Sequence, residues 1–534
     1  MRRVERRGLR PDGGGSIVLI DMSGAADSVE SGREVAELAA GDGRVGAASR
    51  RPTEAKSAWR AGALLAAMER VALGGGPIAV VSGDGRTPFS WGLEIGRIER
   101  VVDLRAGEVI GLGRAEAERA IDAAAARAWA GSTRGGASGA CSGDSGGMLV
   151  VEAAYELGAA FEPRSMALTE RVLAGGAEAE AVMLRLSAVR RMVDQTSLDG
   201  AMNRTAVEAE SPGKNAFEVG PLRSSHGRAG YEAAVARAVE YIHAGDVFQT
   251  NVAHALSAPF VGSTRAAFAA ACERLRPAFA AYVERASGAD AEASWANRAT
   301  MSWSPELFVD VDAAGRATTR PIKGTRELGS AGELDVAAKD LAELNMIVDL
   351  MRNDLGRVAE IGSVRVDEAR RIESHHAEEA GAEEAGAEGT MAGERHGVAH
   401  GVATVSARLR GGVGLGALLG AAFPPGSVTG APKVRAMQII DELERRPGFE
   451  GRGVYCGAVG VVRGDGQLTL SVGIRTATVE GDGAGGRRLV LPVGAGIVAD
   501  SEPDAEWIET LVKAAPIVAA LGASVVDDAA EARA

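Results

Sequence analysis

Apolar residues return at helical spacing in several stretches of the chain. Leu64, Met68 and Val71 stand four and three apart and predict a helix over 58–73. Arg114 to Ala130 is an alanine-rich helix. Val235, Val239 and Ile242 share one face of a helix from Tyr231 to Ala244, with Gly245 as its stop. Ala337, Leu341, Leu344 and Val348 do the same over 333–352, and Met437, Ile440 and Leu443 over 434–444. Near the C-terminus Ser501 offers an N-cap, Pro503 a first turn and Asp504 a partner in a capping-box-like pattern. Trp507 and Leu511 then form an apolar face, and Pro516 is expected to kink or end that helix.

Alternation of apolar and polar residues predicts strands at 77–82, 98–104, 307–312, 317–320 and 489–493. Asp246 to Val252 is strand-like but carries polar groups. Gly457 to Arg463 and Gln467 to Ala477 pair around the hairpin turn Gly464-Asp465-Gly466, which puts Arg475 inside the second strand. Two stretches break the pattern. Residues 199–228 hold Pro212, Gly213, Pro221 and Gly227 and read as the join between an N-terminal region, 1–228, and a second region, 229–522. Residues 373–394 hold seven glutamates with alanine and glycine and cannot build a core, so a disordered acidic insertion is expected at about 374–394. His375 and His376 sit at its edge, and metal binding by the pair is only a weak idea. Residues 1–56 are expected to be partly disordered, and 523–534 form a tail.

Composition narrows the classes. The chain has 534 residues, 46% of them hydrophobic and 25% charged, which describes a globular protein with ample core. A net charge of −13 disfavours nonspecific binding to nucleic acid. No apolar run reaches membrane-spanning length and no signal peptide is evident, so no membrane partner and a cytoplasmic location are expected. Cys141, Cys272 and Cys456 lie far apart and match no zinc spacing.

Four features carry candidate chemistry. Lys323, in Pro321-Ile322-Lys323-Gly324-Thr325, follows a strand and precedes a glycine that leaves its approach uncrowded. In a partly dry cleft its amine would serve as nucleophile or base; in a loop it would simply be solvated. Phe423 to Lys433 is a turn-rich loop before a helix, either an anion cradle or an ordinary helix entry. Asp340/Glu343 and Glu506/Glu509 are helical carboxylate pairs three residues apart, suited to Mg²⁺ or to a solvated face. Arg475 could meet a carboxylate through both nitrogens or lie on a strand surface.

The order and spacing of the motifs resemble the chorismate-utilising enzymes. They are Gly245 to Asn251, Ser304-Pro305-Glu306, Pro321 to Arg326, Asp349 to Gly356, Phe423 to Met437, Tyr455 to Ala458, Gly473 to Thr476, and Gly494 to Glu509. Gly146-Gly147 through Tyr155-Glu156-Leu157-Gly158 adds a weaker resemblance to the N-terminal part of the large subunits of anthranilate and aminodeoxychorismate synthases. The resemblance implies an α+β fold of two packed antiparallel-rich β-sheets surrounded by helices, with the cleft between the sheets.

By position, the resemblance implies that Glu343, Glu506 and Glu509 bind Mg²⁺, with Asp340 in the place of a fourth carboxylate. Tyr455, Arg475 and the backbone of Gly494, Ala495 and Gly496 would cradle the enolpyruvyl carboxylate of chorismate. Thr325, Thr429 and His400 would line the cleft, and Glu306 would be the acid/base at the departing C4 hydroxyl. Gln249 in place of a lysine argues for ammonia rather than water. Lys323 in place of an alanine argues for 4-amino-4-deoxychorismate, the precursor of p-aminobenzoate and folate, over anthranilate. Leu328 stands where the family has a second arginine, and Arg276-Pro277-Ala278-Phe279 lacks a second proline.

Gly139-Ala140-Cys141-Ser142-Gly143 fits a glutaminase elbow literally, but no strand precedes it and no His-x-Glu follows, so it reads as coincidence. Ammonia would then come from a separate glutamine amidotransferase subunit. The competing expectations are an anthranilate synthase large subunit and, more remotely, a non-catalytic scaffold.

Overall fold

The computed structural model describes residues 61–72, 77–82, 93–130, 147–174, 177–194, 216–284, 299–327, 338–376, 397–481 and 486–526. Every named strand among them joins one hydrogen-bonded ladder whose pairings are antiparallel. One end of the ladder is Arg365–His376, paired to Gly397–Arg408. The ladder runs on through Arg316–Arg320, Leu307–Val311, Leu468–Val472 and Ala458–Arg463. It then crosses the N-terminal region through Gly147–Ala153, Val182–Asp194, Glu94–Arg105 and Ile78–Ser82. It returns through Phe279–Val283, Ala299–Ser304, Thr476–Glu480 and Arg487–Ile497 to Gln249–Gly262. The regions on either side of the expected join therefore share one ladder.

The ladder wraps on itself. Ala79 and Phe279 share a buried cluster with Leu307 and Val459, from strands far along the ladder. Those two stretches must face each other to exclude water together. Helices cover the outer faces, with Ala61–Ala72 and Thr264–Leu275 against one part and Ala338–Gly356 and Leu415–Ala422 against another.

Local departures from the sequence pattern have physical reasons. The helix Ala338–Gly356 buries Leu344, Ile347, Val348, Met351 and Leu355, while Leu341 is exposed, so its buried stripe is rotated from the expected one. The C-terminal helix Pro503–Ala520 has Glu502 at its N-cap. Ser501 is not the cap; its hydroxyl accepts from Val498 N and donates to Glu506 Oε1. Pro516 neither ends nor breaks that helix. It lies on the exposed side, where water can take the carbonyl it leaves unpaired. The expected strand through Arg475 is two strands, Leu468–Val472 and Thr476–Glu480. Arg475 sits between them in the left-handed region, at φ 50°. Gly494 to Gly496, expected after a strand, lie within one.

Glu373 to His376 continue the strand Arg365–His376, so the backbone stays regular past the expected start of the acidic insertion. Residues 377–396 of that insertion, the segment 139–143, Leu328 and residues 1–60 lie outside the described residues. Among the described residues no helix is long and apolar enough to cross a membrane.

Candidate active site

Lys323 does not end a strand. It lies inside one, Ile322–Glu327, opposite Gly401 of Gly397–Arg408. The register slips between Lys323 and Thr325, at Gly324, whose φ of 73° only glycine adopts freely. That bulge re-aims the lysine. Gly401 is forced as well, since a Cβ there would fall 2.8 Å from the Lys323 carbonyl.

The lysine reaches across the cleft. Lys323 Nζ is 3.3 Å from Glu343 Oε2 on the helix Ala338–Gly356, and both side chains are 15% exposed. On the far side lies Gly496. A Cβ at Gly496 would fall 3.0 Å from Lys323 Nζ and 2.6 Å from Gln249 Nε2, so the glycine leaves room for two nitrogens. Gln249 is buried, and among the described residues its Oε1 has no hydrogen-bond donor. Gly494 plays the same part for Tyr455, whose hydroxyl would lie 3.0 Å from a Cβ there. Ala495, on the opposite face of the strand, packs into a cluster with Tyr231 and Trp507. The backbone of 494–496 is thus bare on the cleft side.

Glu306 is 4% exposed. Burial pushes its carboxyl up to about 7, against the opposing pull of the Ser427 hydroxyl and the Lys323 ammonium. Arg475 is half-buried, and among the described residues it has no carboxylate partner; desolvation lowers its pKa. Trp303 N donates to its carbonyl at 2.9 Å and fixes the backbone there. A guanidinium in that position suits an incoming carboxylate.

Thr429 is buried, with Oγ1 donating to Pro425 O at 2.8 Å. His400 is buried on its strand, opposite Thr325 on one side and Glu373 on the other. The side chains of Thr325 and Asp340 lie outside the described residues.

The carboxylates expected to bind metal are differently placed. Glu506 is buried and accepts from Ser501 Oγ at 2.6 Å. Glu509 is exposed and paired with Lys513 Nζ at 2.6 Å. Hard oxygens from two helices suit Mg²⁺ in donor chemistry. In this structure, however, two of the three are neutralised by ammonium groups, and among the described residues no three acids gather as a metal site.

Three functional candidates escaped the sequence reading. Lys513 Nζ lies 3.2 Å from Gly494 O, and its position four residues after Glu509 was the available signal. Ser427 donates to Glu306 Oε1 at 2.5 Å, inside a motif already noted. Arg452, buried, forks onto Glu444, with Nε 2.8 Å from Oε2 and Nη2 2.5 Å from Oε1. It also donates to Val428 O at 3.0 Å and Asn251 Oδ1 at 3.0 Å. Its guanidinium lies 4.5 Å from the Tyr155 ring centre. No periodicity marks an arginine of that kind.

A cleft with a guanidinium that no carboxylate meets among the described residues, a protonatable carboxyl and a lysine against bare strand backbone suits a small anionic ligand. The family description "chorismate binding enzyme" matches residues 106–377 and 386–519, and the chain belongs to that family. It is 40% identical over 281 residues to aminodeoxychorismate synthase component 1 of Klebsiella aerogenes, covering 51% of this chain and 53% of that protein. It is 37% identical over 308 residues to an anthranilate synthase component 1 of Haloarcula marismortui, covering 56% and 53%. The chain thus matches about half the length of these curated relatives. The menaquinone-specific isochorismate synthase of Escherichia coli shares the fold, with a TM-score of 0.55 at 16% identity over 88% of this chain and 92% of that one.

Proposed function

We propose that this chain aminates chorismate at C4 with ammonia, giving 4-amino-4-deoxychorismate. The observation that carries the reading is the place of Lys323 Nζ, between Glu343 and the bare backbone of Gly496, beside Gln249. The relatives named for aminodeoxychorismate and for anthranilate formation are matched at similar identity, so the lysine supplies the discrimination.

In this reading Arg475, Tyr455 and the backbone of Gly494 to Gly496 hold the enolpyruvyl carboxylate, while Thr429 and His400 line the ring. Lys323, once deprotonated, attacks C2. The ring double bonds shift toward C4, the C4–O bond breaks, and Glu306 protonates the departing oxygen as water. Near neutral pH a carboxyl raised to about 7 still holds that proton. Ammonia then adds at C4, the double bonds shift back, and the C2–N bond to Lys323 breaks. Two displacements leave C4 with its original configuration. Gln249 Oε1, an acceptor with no donor among the described residues, is suited to receive an ammonia N–H.

Glu343, Glu506 and Glu509, with Asp340, would hold Mg²⁺, which when bound would neutralise the ring carboxylate. Loading it requires Lys323 and Lys513 to release their carboxylates. Ammonia would be delivered by a separate glutamine amidotransferase subunit, a partner consistent with the "component 1" names of several relatives. A cytoplasmic location and a downstream lyase that makes p-aminobenzoate belong to the same reading.

The test is a product assay with chorismate, Mg²⁺ and ammonium, run with and without the lyase. p-Aminobenzoate only in the lyase tube is the expected result. Anthranilate fluorescence without lyase would replace this reading with that of an anthranilate synthase large subunit.

A further inference from the structure

We propose that Ser427 is a positioning residue for Glu306, aiming its carboxyl into the cleft and stabilising the carboxylate left when its proton departs. The inference rests on the acid role given to Glu306 above. Ser427 Oγ donates to Glu306 Oε1 at 2.5 Å, from a half-buried position against a carboxyl that is 4% exposed. The serine therefore stands on the more open side of the acid.

The turn that carries the serine is clamped along its length. Ser427 is the middle residue of the short 3₁₀ turn Gly426–Val428. A Cβ on Gly426 would collide with Leu350 and with Met351 Cε on the helix that also bears Glu343. Thr429 ties the turn back, with its N donating to Gly426 O at 3.2 Å and its Oγ1 to Pro425 O at 2.8 Å. Arg452 Nη1 holds Val428 O at 3.0 Å. The backbone thus sets the place of the hydroxyl, which is what preorganised catalysis requires of a donor.

Two other groups act on Glu306, the Lys323 ammonium and the Ile322 backbone N–H, both from the lysine strand. The Glu306 charge in turn adds to the burial that raises the Cys456 thiol. Lys323 must give up its own proton before it attacks, so its pull on Glu306 is weakest as the reaction begins. Ser427 has no such second task. The hydrogen bond it donates strengthens as charge develops on Glu306, so it favours the transition state over the ground state.

The test measures chorismate consumption with ammonium across pH for wild type, Ser427→Ala and Ser427→Thr. In parallel, the Glu306 carboxyl band is titrated by difference infrared spectroscopy without substrate, with Glu306→Gln as the blank. Ser427→Ala should lower kcat by about 10- to 100-fold with little change in KM. It should move both the infrared titration and the high-pH limb to higher pH, since a donor to the charged form is lost. Ser427→Thr should restore both. An unmoved titration in Ser427→Ala, or an equal loss that Thr does not rescue, would overturn the proposal. If Ser427→Ala does not fold, Ser427→Cys, a weaker donor, carries the same test. An unexpected product or absent turnover counts against the proposed function alone, because the infrared titration needs no reaction.

Discussion

Two clusters of buried charge border the cleft, and they are built oppositely. Around Arg452 every strong charge is matched. Its fork meets both oxygens of Glu444, Ala253 N donates to the same carboxylate at 2.8 Å, and Glu156 receives the backbone N–H groups of Arg452 and Gly453. Glu444 holds Arg452 firmly in its charged form. Around Lys323 the matching is incomplete. Lys323 has Glu343 at 3.3 Å, and among the described residues Arg475 has no carboxylate and Gln249 Oε1 no donor. Buried polar groups cost free energy unless paired, so the first cluster stabilises one backbone arrangement. The second leaves places for a substrate to complete. Arg452 joins the two, gripping Val428 beside Thr429 and Asn251 two residues from Gln249.

If this contrast holds, mutations in the two clusters should fail in different ways. Lys323→Ala should show the largest effect. Formation of 4-amino-4-deoxychorismate should drop about 10³-fold or more while chorismate binding by calorimetry persists. Unchanged turnover would remove the lysine from the chemistry. Arg452→Met should instead reduce stability, by about 3–5 kcal/mol in urea unfolding, because it leaves the Glu444 carboxylate buried and uncompensated. If Arg452→Met unfolds like wild type but loses turnover, Arg452 belongs with the cleft and the contrast collapses.

The sequence made the elements more legible than their junctions. Helices such as Arg114–Trp129 and strands such as Ile78–Ser82 follow directly from local pattern. Strand pairing does not, because Ala458–Arg463 meets Gly147–Ala153 across some 300 residues, and no local period encodes a partner that distant. Within the site, Glu306 and Lys323 were visible through their motifs. The bulge that re-aims Lys323 could be guessed only from Gly324. Arg475 was misplaced inside a strand because flanking Val472 and Thr476 keep the apolar rhythm while the backbone between them turns left-handed. The carboxylate pairs were read from their i, i+3 spacing, but spacing does not show that Lys323 and Lys513 neutralise Glu343 and Glu509.

Glu306→Gln comes next in size. As a general acid, Glu306 must hold its proton, so wild-type kcat/KM should fall as pH rises through about 7. The amide cannot donate that proton, and kcat should drop about 100-fold with loss of the limb. A limb that persists in Glu306→Gln belongs to another group.

The smallest expected effect tests the matched cluster through its proton linkage. Glu156 accepts from Arg452 N at 2.6 Å and from Gly453 N at 3.1 Å, bonds that favour its charged form. Burial outweighs them and raises its pKa above the ordinary 4.5. The folded state therefore binds this proton more tightly than the unfolded state. The resulting stability is fully present below about 4.5 and is lost as pH rises through the raised folded value. Glu156→Gln removes the titration and keeps the shape. Its unfolding free energy should stay within about 1 kcal/mol of wild type at acidic pH, where one backbone N–H loses an acceptor. From pH 4.5 upward the wild-type curve should fall more steeply than the variant curve. Parallel curves would mean that folding leaves the Glu156 pKa unchanged. Its two backbone bonds would then offset burial in full, and the matched cluster would be stronger than its desolvation implies.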